Sequence, residues 1–96
     1  VADPAEAAEM ILTSKSFDNG TACVAEQSVV VVEAVADAFL AAFEQRGAHW
    51  MNEPQQAALV RTLFDERGAL RPAAVGQSAV RLAELSGFTV PTRTRV

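Results

Sequence analysis

This sequence predicts an α/β fold, helices alternating with short strands, on three observations. Valine crowds into one continuous apolar run, Val29–Val32. Apolar residues at helical spacing lie on both sides of that run. Cap and stop residues punctuate the chain at Asp3-Pro4, Gly47, Asn52, Gly68, Ser78 and Gly87. A continuous apolar run suits a strand covered on both faces, and strands alternating with helices define the class.

The elements follow in order. Asp3 as N-cap and Pro4 in the first turn open a helix, whose positive end suits Glu6 and Glu9. Ala7, Met10, Ile11 and Ser14 fall on one face of it, and it should fade near Ser14. Phe17 to Ala22 reads as a loop, and Ser28 to Glu33 as a buried strand. A second helix is expected from about Ala34 to Arg46, with Val35, Phe39 and Phe43 on one stripe and Gly47 as its stop. Ala48 to Met51 is short enough for another strand. Asn52 with Gln55 resembles a capping box, opening a third helix with Leu59, Val60, Leu63 and Phe64 inward and Gly68 at its end. Ser78 caps a short fourth helix that Gly87 stops, and Phe88 to Val90 reads as a last strand. Trp50 and the phenylalanines at helical spacing are expected in the core.

The 96 residues fit one small domain, and half of them are hydrophobic. Eight basic against 12 acidic residues leave a net charge of −4. That balance argues against a nucleic-acid binder, which shows a basic patch or stripe. No apolar stretch approaches the roughly 18–20 residues that span a bilayer. The single cysteine makes no internal disulfide, which fits a reducing, cytoplasmic setting. One Cys and one His do not supply the four ligands of a zinc site, so no metal is expected. Gly76-Gln77-Ser78 lacks the lysine and spacing of a phosphate loop and reads as a turn plus helix cap.

That cysteine, Cys23, stands where a polar glycine-containing loop meets the valine run. Loops on a rigid scaffold are where reactive groups are held, and a thiol there can be exposed and activated. Free cysteine is also among the most buried residue types, so the pattern alone leaves a reactive thiol and a small core residue equally open.

A resemblance separates them. The run Ser14-Lys15-Ser16-Phe17-Asp18-Asn19-Gly20-Thr21-Ala22-Cys23-Val24-Ala25-Glu26-Gln27 resembles the nucleophile loop of the aldehyde dehydrogenase superfamily. It is most similar to the CoA-acylating branch, which reads Ser-Lys-Thr-Phe-Asp-Asn-Gly-x-x-Cys-x-Ser-Glu-Gln. Ser16 replaces the usual Thr and Ala25 the usual Ser. Downstream, Gly68-Ala69-Leu70, Val75-Gly76-Gln77-Ser78, Ala83-Glu84-Leu85 and Gly87-Phe88-Thr89-Val90-Pro91 follow the same branch in order and spacing. The branch comprises acetylating acetaldehyde dehydrogenases and the aldehyde dehydrogenase half of bifunctional aldehyde-alcohol dehydrogenases.

The resemblance covers the chain from about Pro4 to Val96. It implies a fragment of a catalytic domain, residues 1–96 being its nucleophile-bearing segment, without the nucleotide-binding and oligomerisation parts. It implies oxidation of an aldehyde with NAD or NADP and CoA to acyl-CoA, reversibly, through a thioacyl intermediate on Cys23. The backbone N–H of Cys23 would be one oxyanion donor. Phe17, Asn19, Gly20 and Thr21 would support the loop and pocket. The parent would be a homo-oligomer. The fragment alone should be inactive, and no Gly-x-Gly-x-x-Gly fingerprint appears in it.

Several residues have plainer readings. Asp18 and Asn19 are good turn formers, and Phe17 suits core packing as well as a pocket wall. Glu26 is better read as a salt bridge or cap than as a base for Cys23. His49 is better read as a surface or half-buried histidine than as the thiol's partner, and Arg93 and Arg95 as a solvated pair. Two other functions stay in view. One is a hydrolytic aldehyde dehydrogenase, or an acylating relative for a longer or substituted aldehyde such as sulfoacetaldehyde. The other is a non-catalytic interaction module with Cys23 as a core residue.

Overall fold

Asp3 starts the first helix as its side chain predicts. In the computed structural model, which describes residues 3–96, Asp3 Oδ1 accepts from the Ala5 N–H at 3.1 Å and opens α1 (Pro4–Ser16). The cap satisfies one of the first-turn donors that no helical carbonyl reaches. α1 runs past Ser14, and the Ser16 hydroxyl donates back to the Leu12 carbonyl at 2.6 Å in its last turn. The row it turns inward is Ala8 and Leu12, both fully enclosed, whereas Met10 is 66% exposed. Residues four apart stack on one helix face, and here that row faces α2 (Glu33–Gln45).

Phe39 of α2 is buried and stacks on Phe43 at 5.2 Å. Trp50 lies 6.1 Å from Phe43 but is more than half exposed, so it caps the aromatic row from outside the core. Just beyond the end of α2, Gly47 has φ +113°, and a Cβ there would crowd the Arg93 carbonyl oxygen at 3.0 Å. There the C-terminal segment docks: the Arg95 N–H donates to the Gly47 carbonyl at 2.7 Å, and the His49 N–H to Val96 at 2.9 Å.

α3 (Glu53–Leu63) opens with the full capping box. The Gln55 N–H donates to Asn52 Oδ1 at 2.9 Å, and the Asn52 N–H donates to Gln55 Oε1 at 3.1 Å. It stops at Leu63, short of Gly68. Asp65 Oδ1 draws the N–H groups of Arg67 and Ala69, at 2.8 and 3.0 Å, into a turn that competes with the helix. That turn brings Phe64 and Leu70 into one isolated antiparallel bridge. α4 (Ala79–Ser86) packs on α3, is capped by Ser78, whose Oγ accepts from the Arg81 N–H, and ends at left-handed Gly87.

The expected strands are corrected: no strand forms among the described residues, and the regular structure is helical. Ser28–Val32 is irregular, with no strand partner among the described residues, and Val30 is 100% exposed. Glu33 already belongs to α2. Ala48–Met51 and Phe88–Val90 are likewise irregular. A strand exists only through hydrogen bonds to a neighbouring strand, and none of these segments has one among the described residues. A cleft of about 580 Å³, lined by apolar side chains such as Leu59, Leu63, Leu82 and Phe88, opens between α1, α3, α4 and the C-terminal segment.

Candidate active site

The loop after α1 is built from its own polar groups. Phe17–Gly20 forms a 3₁₀ turn in which Asp18 (φ 49°) and Asn19 (φ 53°) are left-handed, followed by Gly20 at φ 76°. Asp and Asn are the side chains that tolerate this conformation. Thr21 locks the turn, its Oγ1 donating to the Asp18 carbonyl at 2.8 Å and to Asp18 Oδ2 at 2.9 Å. The Ala25 N–H then donates to the Ala22 carbonyl at 3.1 Å, closing a second turn with Cys23 and Val24 at its centre.

Ala25 is buried beneath that turn, while Cys23 and Val24 face outward. In this chain Cys23 is an exposed thiol rather than a buried core residue. Among the described residues no acceptor meets its N–H. An exposed thiol beside a free N–H can attack an electrophilic carbon and hold the oxygen that becomes charged.

The other predicted residues divide. Asn19 reaches across the fold, its Nδ2 donating to the Gly76 carbonyl at 2.8 Å. Asn19 and Gly20 line the cleft, which Cys23 does not. Thr21 serves the loop itself. Phe17 is 67% exposed, so its core-packing reading fails in this chain. His49 lies apart from the thiol, its Nε2 3.0 Å from Gln55 Oε1 and its ring stacked on Phe88. The salt-bridge and cap readings of Glu26 are corrected, because its Oε2 is buried without a hydrogen-bond partner and α2 has no side-chain cap.

Arg93 and Arg95 are not a merely solvated pair. Arg93 donates to the Gln45 carbonyl at 3.0 Å, and Arg95 clasps both oxygens of Glu9 at 3.1 and 3.2 Å. Arg46 adds a 3.4 Å ion pair to the same carboxylate. The Arg95 hydrogen bond holds the Glu9 carboxyl below the usual carboxylate range. Partial burial opposes this, and the Arg95 charge, Thr13 and Arg46 add to it. Sequence reasoning missed these long-range links because no short-range pattern marks a pair 86 residues apart. Among the described residues no three His, Cys, Asp or Glu side chains gather as a metal site, and no helix is long and apolar enough to cross a membrane.

The fold and the loop together match known enzymes. The chain is 43% identical over 95 residues to the bifunctional aldehyde-alcohol dehydrogenase AdhE of Escherichia coli K12, covering 99% of this chain and 10% of that enzyme. It matches the acetylating aldehyde dehydrogenase of Geobacillus thermoglucosidasius at a TM-score of 0.90 and 30% identity, over 99% of this chain and 21% of that one. It also matches a propionaldehyde dehydrogenase of Rhodopseudomonas palustris whose structure holds CoA and an acylated cysteine. That match has a TM-score of 0.87 and 28% identity, over 99% of this chain and 22% of the other. No family model matches the chain.

The class these similarities define is aldehyde dehydrogenase. Over the stretch it covers, which is between 10% and 22% of the length of these relatives, the chain is similar to the acylating enzymes.

Proposed function

We propose that this chain is the nucleophile-bearing segment of an aldehyde dehydrogenase that converts an aldehyde, CoA and NAD or NADP reversibly to acyl-CoA and the reduced nucleotide. Cys23 is its nucleophile. The observation that carries this reading is the exposed thiol at the centre of the Ala22–Ala25 turn, on a loop with the acylating-branch sequence. The relative with an acylated cysteine and bound CoA supports it.

Two steps follow from the chain's own atoms. In the first, the Cys23 thiolate attacks the aldehyde carbon. A C–S bond forms, the π pair moves to oxygen, and the Cys23 N–H, which has no other acceptor, receives that oxyanion. Loss of hydride from that carbon to a nucleotide held outside this stretch would leave a thioester on Cys23, and in acyl transfer the CoA sulfur attacks its carbonyl. The bond to Cys23 breaks, and its sulfur leaves as thiolate with the bonding pair. Phe17, exposed at the start of the loop, and Thr21 shape the approach of the aldehyde. The dinucleotide is assigned to the rest of the enzyme, and no residue of this stretch is given a role in holding it. Homo-oligomeric assembly and cytoplasmic residence belong to the same reading.

The test is aldehyde-driven NADH formation by the full-length enzyme, with and without CoA. Cys23→Ala is expected to lower the CoA-dependent rate on the order of 10⁴-fold or more, as removal of a covalent nucleophile does. Equal activity without CoA would move the protein to the hydrolytic enzymes, and an unchanged rate in the variant would remove Cys23 from the chemistry.

A further inference from the structure

Resting on Cys23 as nucleophile, we propose that Asn19 is a positioning residue for its thiol. It acts through the side-chain hydrogen bond to the Gly76 carbonyl, with the Val75–Ser78 turn as anchor. Three observations carry this. First, the other hydrogen bonds of Phe17–Ala25 among the described residues stay within the loop, return to the end of α1, or run to adjacent Gln27, whose amide donates to the Ala25 carbonyl at 3.1 Å, so the 2.8 Å bond from Asn19 is the loop's hydrogen-bonded tie to a distant segment. Second, Asn19 holds a left-handed φ of 53°, the conformation that carries its amide within reach of the Gly76 carbonyl. Third, the anchor is shaped to meet it: Gly76 has φ +76°, and its open side faces the loop, where an added Cβ would come to 3.9 Å from Thr21 Cγ2.

The mechanical consequence is specific. Cys23 is two residues beyond Thr21, which is bonded to Asp18, and two before buried Ala25. Both neighbours fix the loop's internal shape, and the Asn19 bond adds the link from that shape to the Val75–Ser78 turn. It also gives the downstream Val75–Ser78 motif a role in the reaction that a turn and helix cap do not supply.

The experiment uses the full-length enzyme, with Asn19→Gly, Asn19→Asp and Cys23→Ala. Asn19→Gly keeps the left-handed conformation and removes the donor. Asn19→Asp keeps the shape and sets an acceptor against the Gly76 carbonyl. Acetaldehyde oxidation is measured with CoA present, and kcat is expressed per thiol titrated with iodoacetamide. Both Asn19 variants should lose about 10- to 100-fold in kcat per thiol, as a misplaced reacting group does, with KM for acetaldehyde little changed. A merely structural role would lower the number of titratable thiols and leave kcat per thiol at the wild-type value, which overturns the inference.

Gly76→Ala reaches the same bond from the acceptor side, because left-handed φ resists a Cβ. Its loss should be less than additive with that of Asn19→Gly, and full additivity overturns the inference. An active Cys23→Ala enzyme defeats the nucleophile reading itself. An inactive one beside wild-type Asn19 variants defeats only the positioning role.

Discussion

Two neighbouring stretches, the nucleophile loop Phe17–Ala25 and the valine run Ser28–Val32, behave in opposite ways. The loop closes on itself: Asp18, Thr21 and the Ala22–Ala25 turn satisfy one another within a few residues. The valine run has the stronger hydrophobic signal, yet no ladder partner meets it among the described residues, and Val30 is wholly exposed. Turn chemistry is complete in the segment that contains it. A strand's backbone is satisfied only by chain that lies elsewhere in the sequence. The loop therefore keeps its shape in a 96-residue chain, while the run that follows it stays open.

The comparison can be broken most directly at the helix that carries the loop. Among the described residues, Leu12 is the large side chain enclosed completely. Leu12→Ala should cost about 2–5 kcal/mol through lost burial and the cavity left behind, measured by urea unfolding of this chain. A cost like that of a surface substitution would show that α1 does not anchor the loop.

The next test concerns the clasp on Glu9. A carboxyl whose folded value is lowered contributes stability that is present above its ordinary value of 4.5 and is lost as pH falls through the lowered one. Glu9 is nearly half exposed, so screening by water and salt keeps the effect modest. Thermal unfolding between neutral and acid pH should show this acid loss, and Glu9→Gln should reduce it. An identical acid limb in the variant would show that Arg95 and Arg46 contribute nothing through Glu9.

The smallest effect sharpens the contrast. Val30→Ser should change the stability of this chain by no more than about 0.5 kcal/mol, as surface substitutions do. A loss approaching that of Leu12→Ala would mean the valine run is covered in solution.

Much of this was legible from residue order. The strands of the α/β expectation do not form among the described residues, and α3 ends early because Asp65 turns the backbone before Gly68 can. Trp50 failed as a core residue for a related reason: its spacing marks it as apolar, but only the packing of α2 decides that it remains half outside. Around Cys23, the glycine, the turn formers and the family motif were all readable. The exposure of the thiol and the bond from Asn19 to Gly76 were not.

The sequence by itself determined the helix starts at Asp3, Asn52 and Ser78, the left-handed stop at Gly87 and the acylating-branch loop around Cys23. Each depends on hydrogen bonds or dihedral preferences that span only a few residues. Only the tertiary structure decided that Asn19 meets Gly76 across 57 residues, that Arg95 meets Glu9 across 86, and that the valines find no strand partner among the described residues. Contacts between distant positions depend on how the helices pack, and no local pattern of residues encodes that packing.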